Sequence, residues 1–503
     1  MKKFLTMALV GAMLLGVTSA VYANICAFDV VPAATLLFPF VQYDYNGGGA
    51  GANTLFAITN VSSEAQVVHV TLWTDYSVAI LDFNIVLTGY DVQTISIRDI
   101  LADGQLPITD EDSNYAGPEP HSDGPVSETN NLVTWFENQL DAPESTNNNL
   151  VCTVGAPSQY TQTIDPPILQ LFKDWLQKSQ TQTRAYNDNC DVWNGQSAVT
   201  STWWTERDDT DETWMYVTAD VVSACNLDFP DSDNYFAGTA LYDNVLIGDM
   251  IYLDSINNYS EAFQAVHIEA DPELVFVATE GAPGRPVSFY HRFSFPDGTF
   301  DDREPLPTAW AFRYMNDAAN NAKTWIRAFK TGSFDQDVLA NTLIQDLYLN
   351  VPDQTVSAFW ASNCLAYTYY AWDEDEDVLT TTGTPWSQPG VGFIVANLLP
   401  LETQEVDVAE FELPGAYGWM LFVWPLSNYF DNLGQLEDGG TDLYQTWMGV
   451  KYQAFGTYSA GMTATVMANY NCFSDQVLPQ LGIDYDYVDA FGYTISPGVA
   501  PIN

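Results

Sequence analysis

Side-chain alternation with a period of two restricts this chain more than any other feature. In QVVHVTLWTD (66–75), Val68, Val70 and Leu72 share one face and Val67, His69 and Thr71 the other, as in an extended strand. The β-branched and aromatic residues that suit a half-buried pleated surface recur in TLFAITN (54–60), YDVQTISI (90–97), TWMYVTADVVSAC (213–225) and NVLIGDMIYLD (244–254). They return in AVHIEAD (265–271), VSFYHRFSF (287–295), TVSAFWASN (355–363), GWMLFVWPL (418–426), TWMGVKYQAFGTYS (446–459) and MTATVMANYNC (462–472). TAWAFRYMNDAANNAKTWIRAFK (308–330) reads as a hairpin closed by the loop 317–322. Asn60 to Glu64 reads as a turn between two strands.

Two segments break the pattern. ADGQLPITDEDSNYAGPEPHSDGPVSETNN (102–131) is Pro, Gly, Asp and Ser without apolar periodicity, the mark of a long surface loop. DPPILQLFKDWLQKSQ (165–180) has a capping Asp165, prolines in its first turn, and Ile168, Leu171, Phe172, Trp175 and Leu176 at helical spacing. With LVTWFENQL (132–140) it forms a helical excursion over 132–180. The expected fold is all-β: two β-sandwich domains, 24–270 and 271–503, with that short excursion in the first.

The first residues carry Lys2 and Lys3, an apolar run from Phe4 to Val17 and the small-residue pattern Val21-Tyr22-Ala23. This is the pattern of a secretory signal peptide over 1–23, with cleavage after Ala20 as the near alternative. Beyond it, no apolar run approaches the ~20 residues that a membrane-spanning helix needs. The expected location is secreted: extracellular, at the cell surface, or in a periplasm.

Sixty-five acidic residues face fifteen basic ones, a formal charge of −50. Nucleic acid is excluded as a partner, because phosphate affinity comes from Lys and Arg displacing counterions. The charge favours solubility and opposes compaction unless salt or bound cations screen it, so Ca²⁺ is the one cofactor the composition suggests. Cys26, Cys152, Cys190, Cys225, Cys364 and Cys472 remain after signal removal. An even count in an oxidising compartment points to disulfides, sequential pairing with Cys190–Cys225 foremost being the simplest of fifteen arrangements. No CxxC pair occurs, and four histidines do not suggest a metal-rich site.

Several long strings resemble a family of exported bacterial β-rich proteins with no assigned activity. They include ATLLFPFVQYD (34–44), HVTLWTDYSVAILDFNIVLTGYDVQTISIRDI (69–100), YVTADVVSACNLDFP (216–230) and NVLIGDMIYLDSINNYSEAFQAVHIEA (244–270). DDREPLPTAWAFRYMN (301–316) and FWASNCLAYTYYAWDEDED (359–377) extend the resemblance over most of the chain. It implies a common fold and secretion, and supplies no catalytic residues.

Two acidic stretches stand beside aromatic residues. In YYAWDEDEDVLTT (369–381), Asp373, Asp375 and Asp377 alternate along a strand end. Residues two apart in a strand lie ~6.8 Å from one another, too far to share one Ca²⁺ unless the backbone curls. An EF-hand is rejected because Val378 stands where its loop needs glycine, which leaves a solvated strand end or an irregular calcium loop. In WWTERDDTDETW (203–214), Glu206, Asp208, Asp209, Asp211 and Glu212 fall between Trp203, Trp204 and Trp214. Such a mix stacks on sugar rings and accepts hydroxyl hydrogen bonds, or it is a charged hairpin tip with core tryptophans.

Asp301, Asp302 and Glu304 are candidates for a glycosidase carboxylate pair, although Arg303 and the prolines at 305 and 307 suit a structural corner. His267 and Glu269 share a strand face, as an acid–base pair or an ordinary polar contact. GTYSAG (456–461) has one residue too many for G-x-S-x-G, and NGGGAGAN (46–53) leads into a strand instead of a phosphate-binding helix. No catalytic residue is assigned. The reading is a secreted or surface-associated structural or adhesive β-sandwich protein, calcium-stabilised, with a glycan or protein partner. The alternative is a carbohydrate-binding or sugar-processing protein that uses exposed tryptophans and paired carboxylates.

Overall fold

The computed structural model describes residues 27, 30–75, 77, 79–107, 126–127, 212–223, 230, 235–270, 289–290, 301, 303–331, 367–375, 378–383, 399, 402–424, 427–430, 436–442, 445–456, 458–466, 487–488 and 494–495, with helical positions between 164 and 176. The fold is all-β, built from antiparallel sheets. Of the expected helical excursion, Pro166, Leu169, Gln170, Phe172, Lys173 and Leu176 are helical, with Phe172 and Leu176 fully buried, while 132–163 and 177–180 lie outside the described residues. Among the described residues no helix is long and apolar enough to cross a membrane.

Residues 35–268 build the first sheet, ten strands in all: β1 (Thr35–Asp44), β2 (Asn53–Asn60), β3 (Gln66–Thr74), β4 (Ala79–Leu87), β5 (Val92–Ser96), β6 (Val126–Ser127), β7 (Glu212–Val222), β8 (Leu246–Asp254), β9 (Tyr259–Gln264) and β10 (Val266–Ile268). The order is β6-β4-β3-β7-β1-β2-β8-β9, with β10 also on β1 and β5 also on β2. β2 and β3 are not neighbours, so the turn at Asn60–Glu64 is a crossover between distant parts of the sheet and not a hairpin. YDVQTISI is strand only to Ser96. There Ser96 accepts a hydrogen bond from Asp99 N–H and caps the short helix α1 (Ile97–Leu101).

The sheet creases at β1. Pro39, without an N–H, lies where the β1–β7 register shifts between Phe38 and Val41. β1 and β2 share only the pair Tyr43↔Asn53. Rings of β1 therefore lie over the next strands, Phe38 on Phe56 at 4.5 Å and Phe40 on Tyr252 at 5.9 Å. The layer β4-β3-β7-β1 is buried on both faces: Val68, Val70, Leu72, Phe83, Val217 and Ala219 on one, and His69, Thr71, Asp82, Asn84, Thr218 and Asp220 on the other.

The second half of the chain supplies β11 (Ala309–Met315), β12 (Lys323–Lys330), β13 (Tyr367–Asp373), β14 (Val378–Gly383), β15 (Thr403–Asp407), β16 (Tyr417–Val423), β17 (Ser427–Phe430), β18 (Leu436–Asp442), β19 (Thr446–Ala454), β20 (Tyr458–Thr463) and β21 (Thr465–Val466). The second sheet runs β14-β13-β16-β11-β21 and the third β15-β12-β19-β20, while β17 and β18 pair alone. The expected hairpin over 308–330 is instead a corner. Asp317 pairs with Ala322, but Thr324 Oγ1 then accepts from Met315 N–H and donates to Met315 C=O, ending the ladder. β11 and β12 leave into different sheets.

The third sheet is the middle layer. Phe329 and Trp447 meet Tyr216 and Phe263 of the first sheet. The other face carries Ile326, Ala328, Met448 and Val450 into one buried cluster with Phe312, Met420 and Phe422 of the second. That cluster runs from Ala27 to Ala464, so both halves of the chain share one core.

Candidate functional site

The second sheet presents an outer face made by alternation. Trp310, Phe312, Tyr369, Ala371, Met420 and Phe422 point into the main core. Ala309, Ala311, Tyr370, Leu421 and Val423 form a separate cluster on the opposite side, with Trp372 and Trp419 packed against it. At the Ala309–Val423 end this face is buried, and it opens along the strands toward half-buried Trp372, Trp419 and Tyr417 and exposed Arg313.

Trp372 and Trp419 are direct cross-strand partners whose rings stack at 3.9 Å and 7°. Gly418 makes that approach feasible, since a Cβ there would come within 1.8 Å of Trp372 C=O. Tyr417, two residues before Trp419, continues the line. Its hydroxyl donates to Asp317 Oδ2 at 2.6 Å, and Asn320 Nδ2 donates to the same oxygen at 2.6 Å. Asp317 Oδ1 accepts from Ala319 N–H. The Tyr417 hydroxyl, then Asn320 and Ala319, hold the Asp317 carboxyl below its ordinary value, and the same bond raises the Tyr417 phenol. The strip is thus two indoles and a phenol ending in an ionised carboxylate and a carboxamide.

The turn beside it belongs to the DEDED stretch. Asp373 Oδ1 accepts from Asp375 N–H at 3.0 Å, an Asx turn that directs this carboxylate to its own backbone. Asp377 lies outside the described residues, and no group of three potential metal ligands occurs among those described.

Trp214 is packed inside, 3 % exposed with its ring 6.0 Å from Phe40, which removes it from any sugar platform. Trp203, Trp204, Glu206, Asp208, Asp209, Asp211 and all six cysteines lie outside the described residues, as do Asp302 and His291. Asp301 is buried, accepts from Tyr290 N–H and pairs with Arg303 at 2.8 Å. His267 is buried and its Nε2 accepts from Gly248 N–H, so it faces β8 and not a cleft.

Sequence reasoning missed three chemically loaded clusters. Around Asp220, the hydroxyls of Thr35, Tyr235 and Tyr290 all donate to one buried carboxylate. Arg303 adds an ion pair to Asp301, a hydrogen bond to Thr35 Oγ1 and one to Leu241 C=O. Around Arg327, Glu405 Oε2 lies at 2.8 Å and Glu261 Oε2 at 3.1 Å, and the guanidinium sits over Tyr252 at 4.2 Å and Phe40 at 4.8 Å. Burial pushes the Glu261 carboxyl up to about 8 against the pull of Arg327. Third, the Tyr216 hydroxyl donates to Ser77, and Ser77 donates to Glu402. Lys330 N–H donates to Glu402 C=O, and burial pushes the Lys330 amine down to about 7 while Glu402 works against it. Tyr216, Ser77, Glu402 and Lys330 are each no more than 3 % exposed, so this cluster lies behind the protein surface.

No family model and no curated protein matches the chain. Among solved structures, an α-L-rhamnosidase from Streptomyces avermitilis complexed with L-rhamnose is similar at 6% identity and TM-score 0.15. The alignment covers 89% of this chain and 30% of the rhamnosidase, so the chain spans less than a third of that protein. A lectin from Pleurotus ostreatus in complex with GalNAc is similar at 9% identity and TM-score 0.14, covering 95% and 96% of the two chains. At those scores neither establishes a shared fold.

Proposed function

We propose that this is an exported, non-enzymatic adhesive β-protein that binds neutral carbohydrate along the strip Trp372–Trp419–Tyr417. The observation that carries the reading is a stacked tryptophan pair on a sheet face that opens to solvent, running into Asp317 and Asn320. Pyranose C–H bonds, with their partial positive charge, pack on the negative face of an aromatic ring. Sugar hydroxyls then find a carboxylate acceptor and a carboxamide at the strip's end. The surrounding acids disfavour anionic glycans, and Arg313 is the one cation directly across from Trp419. The signal-peptide pattern and the acid-rich composition support an extracellular setting.

The test is calorimetric titration of the full chain with a panel of neutral oligosaccharides. Trp419→Ala is expected to weaken binding at least tenfold, and Tyr417→Phe severalfold, with melting temperature almost unchanged for the latter. Binding that survives Trp419→Ala and Trp372→Ala together, or no binding by the unmodified chain, would overturn the proposal.

A further inference from the structure

Arg98 is a cation whose guanidinium has no acceptor among the described residues. It sits half-buried on α1, its backbone N–H donating to Asn53 Oδ1, while its guanidinium makes no hydrogen bond and no ion pair among the described residues. Its Nε–H is buried without an acceptor. An unsatisfied buried donor is costly, more so on a charged group, and sixty-five carboxylates were available to the sequence.

The guanidinium faces the glycine-rich loop between β1 and β2, Nη1 lying 3.9 Å from where a Cβ of Gly49 would stand. That loop is shaped from both ends. Asp44 Oδ1 accepts from the N–H groups of Asn46 and Gly47, and Gly47 C=O accepts from Ala50 and Gly51. Ala50 C=O accepts from Ser255 and Ile256. Gly48, at φ +55°, and Gly49 are exposed, and their N–H groups have no acceptor among the described residues. Lys173, from the helical segment, lies 4.9 Å above the Tyr45 ring, and Tyr45 in turn packs edge-on against Tyr43 at 4.8 Å. Lys173 has no ion pair among the described residues. Asp44 and Asp103 are the acids near Tyr43, and the Asp44 carboxylate is already turned to its own loop.

We propose that Arg98, with the Gly48 and Gly49 amides, holds an oxyanion, with Lys173 close by as a second positive charge. Two consecutive exposed amides beside a fork of guanidinium donors supply the kind of donors that a tetrahedral or planar anion takes. The ligand chemistry is a sulfate, phosphate or carboxylate group, either free in solution or carried on a polymer. This site is separate from the aromatic strip and independent of the carbohydrate reading.

The experiment is thermal melting of the full chain in sodium sulfate and sodium phosphate against sodium chloride of equal ionic strength, comparing the unmodified chain with Arg98→Gln and Arg98→Lys. The expected result is a concentration-dependent rise in melting temperature that Arg98→Gln loses and Arg98→Lys keeps in part, since ligand binding to the folded state alone stabilises it by mass action. Sulfate also strengthens burial generally, so an equal rise in Arg98→Gln would overturn the site. Calorimetric titration with a sulfated polysaccharide, a uronate polymer and inorganic phosphate then separates the sources. Binding of any one that drops at least tenfold in Arg98→Gln supports the site, and binding of none refutes it. Lys323→Gln, a surface cation elsewhere, serves as the control that should leave every response intact.

Discussion

Arg303 and Arg327 are both fully buried, and both hold two carboxylates, yet the two clusters are finished differently. Around Arg303 every donor used meets an acceptor, and Asp220 receives three hydroxyls. Around Arg327, Glu261 keeps one buried oxygen without a partner, and that carboxyl lies against the backbone of Gly461. The first cluster sews residues 35, 220, 290 and 301 into one closed network. The second joins β9 of the first sheet to β12 and β15 of the third, and it retains a group that titrates near neutrality. A closed network fixes geometry, whereas an open one leaves stability dependent on the medium.

The comparison is broken most directly by removing each arginine. Arg303→Met strands two buried carboxylates, and the loss in urea unfolding is expected at about 3–5 kcal/mol. Arg327→Met should cost about half as much, because Glu261 stays neutral by holding its proton and Glu405 retains Lys451 at 3.5 Å. Equal losses would show that the two clusters do not differ in kind.

Gly461→Ala gives a smaller effect. A Cβ at that position would fall 1.0 Å from Glu261 Oε1, so the carboxyl must move off Arg327, at about 1–3 kcal/mol. The double variant Gly461→Ala with Glu261→Ala should cost less than the sum of the two single changes. Simple additivity would place the strain elsewhere.

The shallowest effect, per unit of the variable changed, is the pH slope. The folded value for Glu261, about 8, lies above its ordinary 4.5, so the folded state holds the extra proton between those values. Its contribution is complete below about pH 4.5 and is lost as pH rises through 8, a slope of about 1.4 kcal/mol per pH unit at most. Glu261→Gln should flatten that part of the stability profile. A profile unchanged by the substitution would mean that Glu261 ionises normally.

Much of the sheet content could be read from alternation, because a strand with one dry face must repeat its apolar residues every second position. QVVHVTLWTD shows why the reading stopped short of topology: both of its faces are buried, and nothing in Val67, His69 and Thr71 reveals that a second layer covers them. The corner at 308–330 looked like a hairpin because its loop has turn residues, while the deciding contact is one threonine hydroxyl occupying both backbone groups of Met315. The aromatic strip was half visible. YYAWDEDED placed Trp372 before an acidic turn, but its partner Trp419 lies forty-seven positions on, in a segment that reads only as apolar strand. WWTERDDTDETW carries the stronger local signal, three tryptophans beside acids, yet its Trp214 is core.

The interior holds Arg303, Arg327 and Lys330, three of the few basic residues this sequence has. A protease that cuts after lysine or arginine meets, among the described residues, mainly Arg313 and Lys323 in the open, both on well-paired strands. At Arg303, Arg327 and Lys330, cleavage of this kind therefore has to wait for the fold to open.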